Sequence, residues 1–323
     1  MKQQHPATNG PPSTCAILLF GELLVDCFPD REVMGGAPFN VAYHLLGLGG
    51  KAGVNPALVT RIGKDERGFR ILQTIQAAGL AIDGVQQDSL HPTGLVQITP
   101  DNDTGGHRFE IAPDQAWDFI HGEMARLAGL VHRPQWVYFG TLAQRGASHF
   151  ALRTLLRTTR AKTFLDVNLR DPWVDKKVLR WSLDKADIVK LNEDELHRIA
   201  AMLGLGGNAP RLLGERLLHV SGARRLLVTR GEKGAWLLGE EGSYFQVAAA
   251  QPVDGLVDSV GAGDAFSAVF LLGLTQKWPV DQTLERAHRF AGEVCRLRGA
   301  IPDSMDFYRP FVADWQLEKE NAA

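Results

Sequence analysis

Apolar residues come in short unbroken runs, and between the runs they recur at intervals of three and four. The short runs, at 16–20, 57–61, 136–139, 163–167, 188–191 and 226–229, read as buried strands. The periodic stretches, at 39–48, 68–78, 148–159, 193–202 and 265–274, read as helices. Strands that alternate with helices predict a largely parallel α/β sheet with right-handed crossovers. One region breaks the alternation. Residues 93–100 and 107–111 flank the polar turn DNDTGG, which predicts a β-hairpin. Residues 27–33 are expected to add an edge strand beside it. Such a small β-element next to the main sheet suits a lid.

Composition narrows the class. The 323 residues are 45% hydrophobic and 22% charged, with a net charge of −2. This balance fits a soluble globular protein and favours neither nucleic acid nor a membrane as partner. The polar, Pro- and Gly-containing start, residues 1–14, is expected to be disordered. The apolar run that follows is broken by Glu22 and Asp26, too charged for a membrane span. Three cysteines without CxxC spacing predict reduced thiols in a cytoplasmic protein. No GxxxxGK[ST] is present, and no GxGxxG follows the first strand, which argues against P-loop and dinucleotide-binding folds.

Candidate chemistry concentrates in DSVGAGDAF, from Asp258 to Phe266. Gly261 and Gly263 stand just before an apolar helix, so backbone can approach a ligand closely there. The free N–H groups of a helix start make an anion hole suited to phosphate. Asp264 sits at its mouth. A carboxylate beside a phosphate site handles a proton or a metal, which suggests phosphoryl transfer to a hydroxyl. The same pattern also makes an ordinary helix start with Asp264 as N-cap. Asp26 follows the first strand, where α/β folds bind ligands, and can accept hydrogen bonds from hydroxyls. Gly35 and Gly36 open the next helix, with Asn40 able to donate and accept toward a polyol. Arg170, at the end of DVNLR, offers a planar fork to phosphate or substrate oxygens. Asn192 and Glu195 share one side of a first helical turn, where oxygen donors suit water-mediated Mg²⁺. Acidic residues are favoured in any first turn, so a capping role stays open. Thr229 and Gly231 lie in a strand-end turn that can hold a nucleotide.

Taken together and in this order, MGGAPFNVAYHLLGLG, RIGKDERG, NEDE and DSVGAGDAF resemble the motifs of the PfkB, or ribokinase-like, carbohydrate kinases. The resemblance implies a Rossmann-like three-layer α/β/α sandwich over residues 15–313. It also implies a small β-sheet lid, with segments near 27–34 and 91–120. It makes Asp264 the catalytic base and Gly261, Ala262 and Gly263 the anion hole. Asn192 and Glu195 would help place Mg²⁺ and the phosphates, and Thr229 and Gly231 would face ATP. Asp26, Gly35, Gly36, Asn40 and Arg170 would face the sugar. Asp258 becomes a candidate ligand for a monovalent cation such as K⁺, and the lid edge a candidate homodimer contact. GELLVDCFP, GGAPFNVA and DVNLRDPW look most like fructokinases, so fructose is the expected substrate. The alternatives are 2-keto-3-deoxygluconate, ribose or a nucleoside, and a non-catalytic sugar-binding regulator.

Overall fold

Strand β1 (Cys15–Phe20) sets the plan of the molecule. Ile17 and Leu19 enter one hydrophobic core, Leu18 and Phe20 another. That is the two-residue period of a strand covered on both faces. A computed structural model describes residues 15–101, 106–239, 242–247 and 255–318. The start of the chain, residues 1–14, lies outside the described residues.

After β1 the chain leaves the main sheet for β2 (Leu24–Cys27) and β3 (Glu32–Gly35), then enters helix α1 (Ala37–Gly49). It returns through β4 (Val54–Gly63), α2 (Glu66–Ala77) and β5 (Val85–Asp88). Strands β6 (Gly94–Asp101) and β7 (Gly106–Ile111) pair antiparallel. The regular alternation then resumes with α3 (Gly122–His132), β8 (Trp136–Gly140), α4 (Ser148–Thr158), β9 (Lys162–Asp166) and α5 (Lys176–Lys185). Next come β10 (Ile188–Asn192), α6 (Glu193–Leu203), α7 (Pro210–Val220), β11 (Arg225–Thr229), β12 (Ala235–Gly239) and β13 (Tyr244–Val247). Helices α8 (Ala262–Gln276), α9 (Val280–Val294) and α10 (Arg309–Asp314) complete the described chain.

Among the described residues, nine strands form the main sheet in the order β13-β12-β11-β10-β9-β8-β1-β4-β5. The strands from β5 to β11 run parallel, and β12 and β13 add an antiparallel edge. Helices α1, α2, α8, α9 and α10 pack on one face. Helices α3 to α7 pack on the other. The result is the three-layer α/β/α sandwich. A second sheet, β3-β2-β6-β7, sits over its own small core of Leu24, Val96, Ile98, Ile111, Trp117, Leu142 and Ala143.

Two expectations need correction. Residues 27–33 do not form one edge strand; they span the turn between β2 and β3. The inner of those strands, β2, pairs parallel with β6. The periodicity also starts the glycine-motif helix too late, at 265. Its first turn begins at Ala262, with Gly261 as N-cap in the left-handed region (φ 80°) and Asp264 inside the first turn.

Candidate active site

The carboxyl ends of β1, β9, β10 and β11 and the amino ends of α1 and α8 converge beneath the small sheet. They enclose a cavity of about 600 Å³. Asp26, Gly36, Asn40, Arg170, Asn192, Glu195, Thr229, Gly261, Gly263 and Asp264 all line it. Gly35, Gly231, Asp258 and Ala262 are not among its lining residues. A larger cleft, about 950 Å³, lies at the opposite, amino-terminal edge of the strands. Its carboxylate, Asp187, is already tied to the Thr163 amide and hydroxyl.

Asp264 projects from the first turn of α8. Its Oδ2 accepts a hydrogen bond from Asn40 Nδ2 at 2.8 Å, which joins α8 to α1. The other amide atom, Asn40 Oδ1, is buried and finds no partner among the described residues. Such an oxygen can accept a ligand hydroxyl. Burial, then the neighbouring Asp166 charge, push the Asp264 carboxyl up to about 6. The N–H of Ala262 donates to the Ser259 carbonyl at 3.3 Å, so Ala262 contributes less to the anion hole than its motif position implies. No backbone bond is formed by the N–H groups of Gly263 or Asp264 among the described residues. These two donors, at the positive end of α8, are free for an anion.

The sugar-side candidates meet at the junction of the two sheets. A Cβ on Gly35 would stand 2.6 Å from Asp26 Oδ2. On Gly36, whose φ is 112°, it would stand 2.5 Å from the Glu22 carbonyl oxygen. Both glycines therefore let the chain turn into α1 without displacing the Asp26 carboxylate or the Glu22 backbone. Burial raises Asp26 to about 6, against the pull of Arg170. Arg170 itself is exposed, and its Nη1 donates to the Leu169 carbonyl at 3.1 Å.

Asn192 and Glu195 cap α6. Asn192 Oδ1 accepts from the Glu195 amide at 2.7 Å, and Glu195 Oε2 accepts from the Asn192 amide at 2.9 Å. Glu195 Oε1 accepts from the Leu169 amide at 2.7 Å. This is a reciprocal capping box. It also fixes the loop that carries Arg170. Each Glu195 oxygen already accepts one hydrogen bond, and Glu195 lines the cavity, which fits a hydrated cation better than direct ligation. Asp258 Oδ1 accepts from the Val260 amide at 3.0 Å and so shapes the glycine loop.

Several cavity residues escaped the sequence reading. Asn168 takes a left-handed conformation (φ 46°) and lines the cavity. Lys190 and Asp166 form a buried ion pair at 2.9 Å. Their signal was a lysine within the apolar run IVKL of a strand covered on both faces. Glu22 is only 5% exposed and accepts from the Ala37 amide at 3.3 Å. Burial pushes its carboxyl from 4.5 to about 7. Below pH 4.5 the group is neutral in both folded and unfolded chains and costs nothing. Between 4.5 and about 7 the unfolded chain ionises first, so stability falls as pH rises. Glu22→Gln should therefore raise Tm at pH 8 by about 2 °C or more, with a smaller gain at about pH 4.5. A melt followed by fluorescence checks this, and an equal shift at both pH values would remove the titration as its cause.

The family model described as pfkB family carbohydrate kinase matches residues 15–306. The chain is 29% identical to a fructokinase of Salmonella typhimurium, over 91% of this chain and 99% of that protein. It is 30% identical to a fructokinase of Escherichia coli, over 80% of this chain and 84% of that one. In fold it is similar to the fructokinase of Xylella fastidiosa solved with bound ATP. The TM-score is 0.77 at 23% identity, over 94% of this chain and all of that one. Among the described residues no helix is long and apolar enough to cross a membrane. The motif-bearing residues, the three-layer fold and a match along most of the chain agree: the protein belongs to the pfkB family of carbohydrate kinases and is a sugar kinase, a phosphotransferase with an alcohol group as acceptor.

Proposed function

We propose that this enzyme transfers the γ-phosphoryl group of ATP to a primary hydroxyl of a free ketohexose, D-fructose. One observation carries the reading. Asn40 holds the Asp264 carboxylate at the mouth of the free N–H groups of α8, with its own Oδ1 left to receive a hydroxyl. As the sugar oxygen bonds to phosphorus, its proton passes to Asp264, the bond to the bridging oxygen breaks, and ADP leaves. The loose transition state of phosphoryl transfer lets a weak base serve, because the alcohol need not lose its proton early. Positioning and charge stabilisation do most of the work.

The remaining roles are assigned as the motifs imply. Gly261, Ala262 and Gly263 form the anion loop. Asp26, Gly35, Gly36, Asn40 and Arg170 face the sugar, and Thr229 and Gly231 lie on the nucleotide side. Asn192 and Glu195 would hold hydrated Mg²⁺, which neutralises phosphate charge when bound. Asp258 is the candidate ligand for K⁺. The β3-β2-β6-β7 sheet acts as a lid that helps to exclude water from the reacting phosphate. Its edge strands β3 and β7 offer a contact for a second copy of the chain. The free cysteines Cys15, Cys27 and Cys295 fit a reducing cytoplasm.

Fructose kinases of 26–31% identity along most of the chain support the ketohexose. A second reading, 2-keto-3-deoxygluconate, rests on Arg170, whose fork in the cavity can pair with a sugar-acid carboxylate. ATP-dependent ADP release from purified enzyme, measured with fructose, 2-keto-3-deoxygluconate, ribose and nucleosides, decides between them. Release with the acid and none with fructose overturns the first reading and leaves the chemistry standing. Asp26→Ala should raise the sugar KM at least about tenfold, because hydroxyls lose their buried partner. The KM for ATP should stay within about twofold. Equal damage to both constants would take Asp26 out of the sugar site.

A further inference from the structure

Beneath the glycine loop lies an ion pair that none of these roles uses. Lys190 Nζ stands 3.0 and 2.9 Å from the two oxygens of Asp166. It also stands 3.3 Å from the Gly263 carbonyl. Ser267 Oγ lies 2.8 Å from Asp166 Oδ2 and 3.0 Å from the same Gly263 carbonyl, with one proton to give to either. Tyr138 donates to Asp166 Oδ2 at 3.3 Å. All four side chains are buried.

Stability alone is a poor reason for this arrangement. A buried ion pair is often no more stable than apolar residues of the same volume, and sometimes less so. The pair does have a geometric consequence. Gly263 is the second residue of α8, and its N–H is one of the two free donors facing the cavity. A Cβ on Gly263 would stand 3.1 Å from Lys190 Nζ. A side chain there would press the ammonium back by a few tenths of an ångström. Holding the Gly263 carbonyl fixes the peptide planes of the first turn. It also puts positive charge behind the anion hole, while Asp166 keeps the buried charge balanced.

We propose that Lys190 and Asp166 are a positioning pair, in which the ammonium holds the Gly263 carbonyl so that the first turn of α8 presents its N–H groups and Asp264 to the transferred phosphoryl group. The proposal rests on the anion-hole and base reading given above. Neither residue needs to touch substrate.

The test uses single and paired variants of the full-length enzyme. Asp264 is faced by Glu22 beyond β1, Asn40 on α1, Tyr138 on β8, Asp166 on β9, Arg170 beyond β9 and Lys190 on β10. Lys190→Met removes an attractive charge from this set, and Asp166→Asn a repulsive one. The acid limb of the kcat/KM profile should therefore move to higher pH in Lys190→Met and to lower pH in Asp166→Asn, by about one unit each. A merely structural role would move both limbs alike. Lys190→Met should also lower kcat at least about tenfold, with the sugar KM changed less than about threefold.

Either single variant strands a buried charge and can fail to fold, so the double variant Asp166→Asn with Lys190→Met is measured beside them. It leaves no charge unpaired and should keep a native melt, yet its kcat should stay low because the ammonium no longer holds the Gly263 carbonyl and Ser267 alone remains on it. A folded double variant with wild-type kcat, or single variants whose limbs shift the same way, overturns the proposal. If Asp264→Asn is active, the base reading itself falls. If Asp264→Asn is inactive while the Lys190 and Asp166 variants are normal, only the positioning pair falls.

Discussion

Asp264→Asn should lower turnover at least about 100-fold, the lower range for loss of a positioned acid–base group, and should leave the fold intact. The amide is nearly isosteric with the carboxylate, and its carbonyl oxygen can still accept from Asn40 Nδ2, so α1 and α8 stay joined. What disappears is the carboxylate in the first turn of α8 that can take the hydroxyl proton. Removing a charge from a site that also holds Glu22, Asp26 and Asp166 should if anything stabilise the folded chain. Turnover by Asp264→Asn within a fewfold of wild type would remove the residue from the reaction.

The pH profile carries the same argument further. Burial raises Asp264 to about 6 and Asp26 to about 6, and Glu22 to about 7. Activity should therefore fall as pH drops through about 6, where the base takes up its proton. Asp264 and Glu22 influence each other, so the limb belongs to the cluster more than to one residue. In Asp264→Asn the residual activity should lose that limb. Persistence of an unchanged limb would assign it to Glu22 or Asp26.

Much of this site was legible because its residues sit at places with simple rules. Strand ends and helix starts can be found from periodicity, and Asn40, Asn192 and Asp264 each stand at such a point. Asp26 does not, since it lies within β2 of the small sheet and not at the end of β1. The fold brings them around one cavity from positions up to 238 residues apart, counting from Asp26 to Asp264. The parallel sheet was legible for the same reason. Other features depend on tertiary facts with no local trace. Lys190 sits inside an apolar strand, and only its pairing with Asp166 on the adjacent strand explains a buried charge there. Glu22 is buried because the chain crosses between two sheets at that residue. Strands β12 and β13 carry no βαβ signal, since they pair by hairpins along an edge. With Asn192 and Glu195, the capping alternative weighed from sequence is present in the structure, and it leaves outer-sphere contact as the way they can serve a metal.

Gly261→Ala should cost about 100- to 1000-fold in kcat, the range for losing a donor to a developing anion. The residue adopts a φ of 80°, where a Cβ meets its own backbone. The larger obstacle is external. A Cβ there would collide with the Ala300 Cβ and stand 2.5 Å from the Ala300 Cα. Backbone cannot swing aside as a long side chain can, and this backbone is held. Buried His44 places Nε2 at 2.9 Å from the Ala300 carbonyl and Nδ1 at 2.9 Å from the Tyr308 hydroxyl. The carbonyl can only accept, so Nε2 carries the proton and Nδ1 accepts from Tyr308. Burial holds the imidazole's pKa down at about 4, so it is neutral at working pH and this tautomer persists. With the wall fixed, the loop must move, and with it the N–H groups of Gly263 and Asp264. The mutant should therefore fold, because the strain lies in a partly exposed loop, yet lose kcat far more than sugar binding. His44→Ala placed on top of Gly261→Ala should return part of the lost rate by loosening Ala300. A Gly261→Ala enzyme with wild-type kcat would show that the left-handed turn is not what forms the anion hole.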